Sequence, residues 1–197
     1  MRYFREHSRL ISRLLINQVG MTIFGMILTM AVMKSTNNNQ TITIAVSIFS
    51  ILFYLCLIYN VLWEEGARNG IRVNAGRMEK IPFFSLKAAL FASIPNFVLA
   101  VLLFVSYLLA FPFGMEFARS AYAVLHIILA LFEAMYVGLF SVILNAFPEV
   151  ATQSLVASCL YLLSSLPMIL VSMLAYRFGE KNIYIFGKRS PKKNKED

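Results

Sequence analysis

Hydrophobic residues in this chain gather into long runs separated by short polar stretches. Five such runs cover residues 11–33, 42–63, 88–113, 121–147 and 150–176. Each is longer than the roughly 18 residues that mark a helix crossing the hydrocarbon core of a bilayer. Strands of an outer-membrane barrel would instead alternate in runs of about ten residues. The pattern therefore predicts an all-α fold, a polytopic transmembrane helical bundle with about five membrane-embedded helices.

Composition agrees with a membrane location. Hydrophobic residues make up 59% of the chain and charged residues only 14%, whereas a typical soluble domain carries about 25% charged residues. The first run is too long for a secretory signal, and no small-x-small cleavage site follows it. We therefore expect a single membrane-embedded domain over 1–180 with a polar connection at 64–87, and a basic, disordered tail over 181–197.

Basic residues lie mainly beside the apolar runs. Residues 1–13 hold four arginines against one glutamate, and residues 64–87 hold five basic against three acidic side chains. Because cytoplasmic loops carry the excess of Lys and Arg, the N-terminus and the 64–87 connection are predicted to be cytoplasmic, in a bacterial plasma membrane. The net charge is +8. Because the basic residues flank apolar runs, the expected partners of the protein are the lipid bilayer and anionic lipid headgroups, and not nucleic acid.

The charge pattern conflicts with five complete crossings. A chain that starts inside and crosses five times ends outside, yet the segment from residue 177 has seven basic against three acidic residues. One segment is therefore expected to be re-entrant or interfacial. The runs that contain Pro95 and Pro167 are the candidates, because proline kinks a helix. The alternative is that the tail lies outside, so the side of the C-terminus stays open.

Motifs of membrane enzymes are missing from the sequence. Asp197 is the only aspartate, which excludes paired intramembrane aspartates and aspartate-rich metal sites. The two histidines do not form an HExxH motif, and no GxSxG or P-loop occurs. We therefore predict that the protein is not an enzyme and that it has neither a cofactor nor a metal site.

Two ionisable residues, His126 and Glu133, lie within the fourth apolar run. Ionisable groups in a bilayer are costly and are functional candidates by default. Their spacing of seven puts them on one helix face, about 10 Å apart along the axis, so a partner must come from another helix. Five amide side chains are predicted to lie at one depth of the membrane, near the cytoplasmic side, and we include them in this candidate intramembrane polar site: Asn17, Gln18, Asn60, Asn96 and Asn145. They are predicted to line a cytoplasm-facing vestibule or, alternatively, to join helices by hydrogen bonds.

The 64–87 connection contains a second candidate site. Beyond the interfacial Trp63, the spacing of Arg68 and Arg72 predicts a charged row along one helix face. Together with Arg77 and Asn69, these arginines are candidates for contacting a ligand phosphate or carboxylate, or a lipid headgroup.

Glycines in the same connection predict that its helix is short. Gly66, Gly70 and Gly76 argue against a long stiff helix, and the dipeptide Asn69-Gly70 predicts a turn.

Three stretches carry a resemblance to known sequences: WEEGARNGIRVNAGRMEK, SLKAALFASIPN and YRFGEKNIYIFGK. Their order resembles that in an uncharacterised family of small polytopic membrane proteins from low-GC Gram-positive bacteria. The resemblance implies a similar helical bundle with a Gly- and Arg-rich cytoplasmic connection. It implies no activity.

These observations favour an integral membrane protein without enzymatic activity, either transporter-like or a membrane subunit of a larger complex with another membrane protein. One alternative is a proton-coupled small permease that uses Glu133. A second alternative is a membrane enzyme that acts on lipid headgroups through Arg68, Arg72 and Arg77, but no general base or metal-ligand set stands beside these arginines in the sequence.

Overall fold

Helices account for nearly all of the chain that the structure describes. This computed structural model describes residues 2–35 and 39–183, without the side chains of residues 2–7 and 33. In chain order the helices are α1 (Arg2–Ser35), α2 (Gln40–Asn74), α3 (Phe84–Ala110), α4 (Glu116–Phe132), α5 (Val137–Asn145), α6 (Val150–Leu163) and α7 (Ser165–Glu180). A 3₁₀ turn, Ala134–Tyr136, lies between α4 and α5. No strand occurs in the described residues, so the all-α prediction is confirmed.

Four helical segments are long and apolar enough to cross a membrane. They are Ser8–Val32, Gln40–Asn74, Phe84–Ala110 and Val150–Glu180, the last formed by α6 and α7 together. A fifth segment, α4 with the 3₁₀ turn and α5, has the required length but bends by 84° between its two parts. The predicted polytopic bundle of about five membrane-embedded helices is confirmed. Most of the predicted disordered tail, from residue 184 onward, lies outside the described residues.

Glycines bring α2 and α7 into close contact. A Cβ atom added to Gly66 would lie 2.3 Å from the carbonyl oxygen of Tyr176, and one added to Gly179 would lie 2.1 Å from that of Trp63. Neither position has room for a side chain. Gly66 and Gly70, spaced four apart on α2, allow this approach of two backbones. In lipid, dispersion contacts and interhelical hydrogen bonds drive helix association.

The predicted turn at Asn69-Gly70 is wrong. Helix α2 continues through both residues and ends at Asn74. A glycine within a helix costs about 1 kcal/mol relative to alanine, and the contact with α7 offsets this cost. The turn comes instead at Gly76, whose φ of 68° lies in the left-handed region that favours glycine.

One end of the bundle, termed the arginine end, contains the first turns of the described part of α1 and the last turns of α2 and α7. Arg13 of α1 forms an ion pair with Glu64 of α2 at 3.2 Å. Lys80, in the connection after α2, pairs with Glu180 of α7 at 3.4 Å. Helices α2 and α7 therefore run in the same direction and finish side by side.

The segment from α4 to α5 enters the bundle and returns to the end from which it came. Five residues separate the end of α3 from the start of α4, at the end opposite the arginine end. After the bend, the backbone N–H of Gly138 donates to Ser47 Oγ, which lies in the first turns of α2 at that same opposite end (2.9 Å). At the end of α5, the carbonyl of Leu144 accepts from Gln153 in the first turn of α6 (3.3 Å). The segment is therefore re-entrant.

The re-entrant segment resolves the conflict between crossings and charge. With four crossings, the start of α1 and the end of α7 lie at the same end of the bundle. Pro95 and Pro167 do not mark the re-entrant segment, contrary to prediction. Pro95 lies within an uninterrupted α3, and Pro167 lies in the first turn of α7, where the missing N–H costs little.

Reporter fusions test this topology. We expect paired phosphatase and fluorescent-protein reporters inserted after Gly76 or fused after Asp197 to report the same side of the membrane. Reporters inserted after Pro112 and after Pro148 are both expected to report the other side, because α4 and α5 make no net crossing. A fifth crossing would instead place the reporters at Pro112 and Pro148 on opposite sides.

Candidate functional site

Glu133 lies at the bend of the re-entrant segment, inside the bundle. Its residue surface is 2% exposed. Its Oε1 accepts a hydrogen bond from Nδ2 of Asn96 on α3. It also lies 3.2 Å from the hydroxyl of Ser164, between α6 and α7, whose single proton is shared with the carbonyl of Tyr161 at 2.8 Å. The same amide nitrogen of Asn96 lies 3.3 Å from Oγ of Ser165. Three parts of the fold therefore converge on one carboxylate.

Two interruptions of helical backbone meet at this site. Helix α4 ends just before Glu133, and α6 ends just before Ser164. Non-helical backbone at membrane depth is tolerated only where protein groups or water satisfy it. Here hydroxyls from other helices do so: Thr22 on α1 donates to the carbonyl of Phe132 (2.6 Å), and Tyr136 donates to the carbonyl of Ser164 (3.2 Å).

The polar groups of the site are not all satisfied. Oε2 of Glu133 and Oδ1 of Asn96 are buried and have no hydrogen-bond partner among the described residues. Both residues line an internal cavity of about 10 Å³, which Gln18, Tyr54 and Ser165 also line. A volume of this size is near the minimum for one water molecule.

The chemistry of the unsatisfied atoms limits what they bind. Both are hydrogen-bond acceptors, so they require a donor or a cation, and a buried acceptor without one costs about 1–3 kcal/mol. A proton on Glu133, with or without a water, meets this need. So does a small hard cation, because the side chains offer oxygen ligands. A single carboxylate carries one negative charge, so a monovalent cation would neutralise it.

A second polar feature lies at the arginine end. A cleft of about 460 Å³ opens between the start of α1 and the end of α2. We name it the arginine cleft and define it by five lining residues: Arg9, Arg13, Glu65, Arg68 and Arg72.

Some of the predicted ligand residues of the 64–87 connection line this cleft, and one does not. Arg68 and Arg72 lie in it with Asn69, whose buried side chain donates to the hydroxyl of Tyr176 on α7 (3.2 Å). Arg77 is exposed beyond the end of α2 and does not line the cleft. The first helix, which the sequence prediction did not include, supplies the other two arginines.

No protein-family description, curated protein or solved structure matches the chain. The resemblance to uncharacterised bacterial membrane proteins stays a prediction, and any assignment of function depends on the geometry of the two sites.

The structure brings only part of the predicted intramembrane set together. Gln18, Asn96 and Glu133 line the same internal cavity. Asn17 is half-buried and Asn60 is exposed on α2, so neither joins them. Asn145 is also exposed, at the end of α5.

The position of Asn145 corrects the sequence-based arrangement. Asn145 lies at the end opposite the arginine end, because its segment turns back at Glu133. The five amides therefore do not gather at one level. His126 is half-buried and packs against the rings of Tyr122 and Tyr161, with centroid distances of 5.9 and 5.7 Å, apart from Glu133 as predicted.

The hydroxyl residues of the site were not predicted from the sequence. Ser164, Ser165 and Tyr136 supply or receive its hydrogen bonds. One signal was present in the sequence: Ser164 and Ser165 stand three and two residues before Pro167 inside an apolar run, a combination that favours a helix break.

Proposed function

We propose that this protein is a transporter-like integral membrane protein in which Glu133 reversibly binds a proton or a small monovalent cation. One observation carries the proposal: the carboxylate is buried at the break of a re-entrant segment, where a second helix break and an amide converge on it. Secondary transporters commonly place substrate and coupling-ion sites at discontinuous helices near the middle of the bilayer.

Binding at Glu133 changes the charge of the bundle interior. An uncompensated carboxylate is expensive at membrane depth, whereas a proton or bound cation neutralises it. The neutral and charged forms therefore favour different contacts with Asn96 and Ser164. A ligand that favours one arrangement shifts the population toward it, which supplies the coupling that ion-driven transport needs.

The proposal involves binding and movement, without covalent chemistry. The described side chains that line the Glu133 cavity are carboxylate, amides, hydroxyls and methionines. They include no histidine, cysteine or lysine that would form a nucleophile–base pair with a neighbour.

We further propose that the arginine end faces the cytoplasm of a bacterial cell. Support comes from the positive-inside rule: residues 1–13, the 64–87 connection and the segment from 177 are each basic, and the described parts of all three lie at this end.

Ion-dependent stability tests the proposal without knowledge of the transported solute. We expect the thermal unfolding midpoint of the purified protein to rise with NaCl relative to choline chloride at equal ionic strength, or else to depend on pH. A ligand that binds only the folded state stabilises it by mass action. In Glu133→Gln this dependence is expected to disappear, because the amide has no charge to neutralise.

Glu116→Gln is the matched control, since Glu116 is an exposed carboxylate at the start of α4. It should retain the wild-type dependence. Reconstituted liposomes with an internal pH indicator, and parallel ²²Na⁺ uptake, separate a proton from a sodium ion. A Glu133→Gln variant with wild-type ion dependence and wild-type ion flux would refute the proposal.

A further inference from the structure

We infer that the arginine cleft is a binding site for the phosphate of an anionic phospholipid headgroup, held between α1 and α2. This site is separate from Glu133 and does not depend on the function proposed for it.

The two helices of one hairpin, α1 and α2, supply the cleft at the open end of that hairpin. Arg9 and Arg13, one helical turn apart, come from α1, and Arg68 and Arg72, also one turn apart, come from α2. Guanidinium groups bind phosphate oxygens through two parallel hydrogen bonds. Two pairs on facing helices can therefore hold one phosphate from both sides. The volume of about 460 Å³ lies within the range of small-molecule sites.

The charges of the cleft are only partly compensated within the protein. Glu64 accepts from Arg13 at 3.2 Å and from Arg68 at 2.7 Å, and Glu65 lies 4.0 Å from Arg68. Among the described residues, Arg9 and Arg72 form no ion pair. The cleft therefore keeps an excess of positive charge, and the two arginines that provide it do not hold the helices together.

The depth of the cleft favours a lipid as the source of the phosphate. Trp63, a residue type enriched at the membrane interface, directly precedes Glu64. Arg68 follows Trp63 by five residues, which places it about 7.5 Å farther along the axis of α2. The headgroup layer on each side of the hydrocarbon core is about 5–8 Å thick. The guanidinium groups thus lie at the level of lipid phosphates.

The single tryptophan of the chain provides the readout. Purified protein in phosphatidylcholine–detergent micelles is titrated with phosphatidylglycerol while Trp63 fluorescence is recorded. We expect a saturable change for the wild type, and at least a tenfold weaker apparent affinity for the variant Arg9→Ala/Arg72→Ala. This variant should fold, since neither side chain is ion-paired among the described residues. Retained unfolding cooperativity by circular dichroism checks this directly.

Arg77→Ala is the matched control, because Arg77 is exposed at the same end but lies outside the cleft. It is expected to keep wild-type affinity. An equal loss in Arg77→Ala would overturn the inference, since it would show attraction to overall charge alone. Titration with inorganic phosphate separates the two sources. A saturable response to free phosphate without one to phosphatidylglycerol would overturn the assignment to lipid.

Discussion

Replacing Gly179 by alanine is expected to lower the free energy of unfolding by about 2 kcal/mol. The new methyl group would lie 2.1 Å from the carbonyl oxygen of Trp63 and 2.9 Å from the backbone nitrogen of Ala67. Both atoms are backbone of α2, so a side chain cannot rotate away. Overpacking of this kind costs about 1–3 kcal/mol, more than the gain of up to about 1 kcal/mol in helix propensity. Unfolding in mixed micelles with increasing SDS, followed by circular dichroism, measures the difference.

Gly20→Ala serves as the control for this experiment. No atom lies within 4 Å of a Cβ added at Gly20 on α1, so the substitution should leave stability unchanged or raise it slightly. If Gly179→Ala unfolded at the same SDS fraction as Gly20→Ala, the close contact of α2 and α7 would be wrong.

Asn96→Leu is expected to cost about 2 kcal/mol for a different reason. The substitution removes the amide that donates to Glu133 and leaves the buried carboxylate with Ser164 alone. Interhelical hydrogen bonds in membranes average about 0.6 kcal/mol, but hydrogen bonds to charged groups are worth about 1.5–3 kcal/mol. The same SDS titration measures the loss.

A double-mutant cycle isolates the pair from other effects. Once Glu133→Met is present, Asn96→Leu should cost much less, because there is no carboxylate left to satisfy. Asn60→Leu, at an exposed amide on α2, should change stability by no more than about 0.5 kcal/mol. Strictly additive losses for Asn96 and Glu133 would contradict their interaction.

The first helix connects the two candidate sites. At the bend of the re-entrant segment, α1 contributes Gln18 to the cavity wall and Thr22 to the carbonyl at the end of α4. One to three turns earlier it contributes Arg9 and Arg13 to the arginine cleft. A lipid phosphate bound in the cleft would thus fix the helix whose next turns contact the Glu133 site.

Much of the fold was predictable because the length of an apolar run and the positions of charged residues beside it are local properties of the sequence. A run of apolar residues partitions into lipid wherever it stands in the chain, so the apolar segments could be read directly. Glu133 was identified for the same reason, as an ionisable residue within an apolar run. The path of its segment was not predictable, because no proline or glycine marks the break. The hydroxyl of Thr22, on the distant helix α1, satisfies the interrupted backbone at the carbonyl of Phe132.

The continuation of α2 beyond Trp63 was also not predictable from the local sequence. Read locally, Gly66 and Gly70 weaken a helix. In the bundle they allow the backbone of α7 to approach, and this contact offsets their cost.

The amino-acid sequence alone predicted a helical membrane bundle, the positions of its apolar segments and Glu133 as an ionisable residue within one of them. The contacts between polar groups became evident only from the fold. The fold joins Asn96 and Ser164 to Glu133, adds Arg9 and Arg13 to Arg68 and Arg72, and places Asn145 at the end opposite the arginine end. Burial in lipid depends on each segment's own composition, whereas contacts between side chains depend on where helices break and which neighbours satisfy the break.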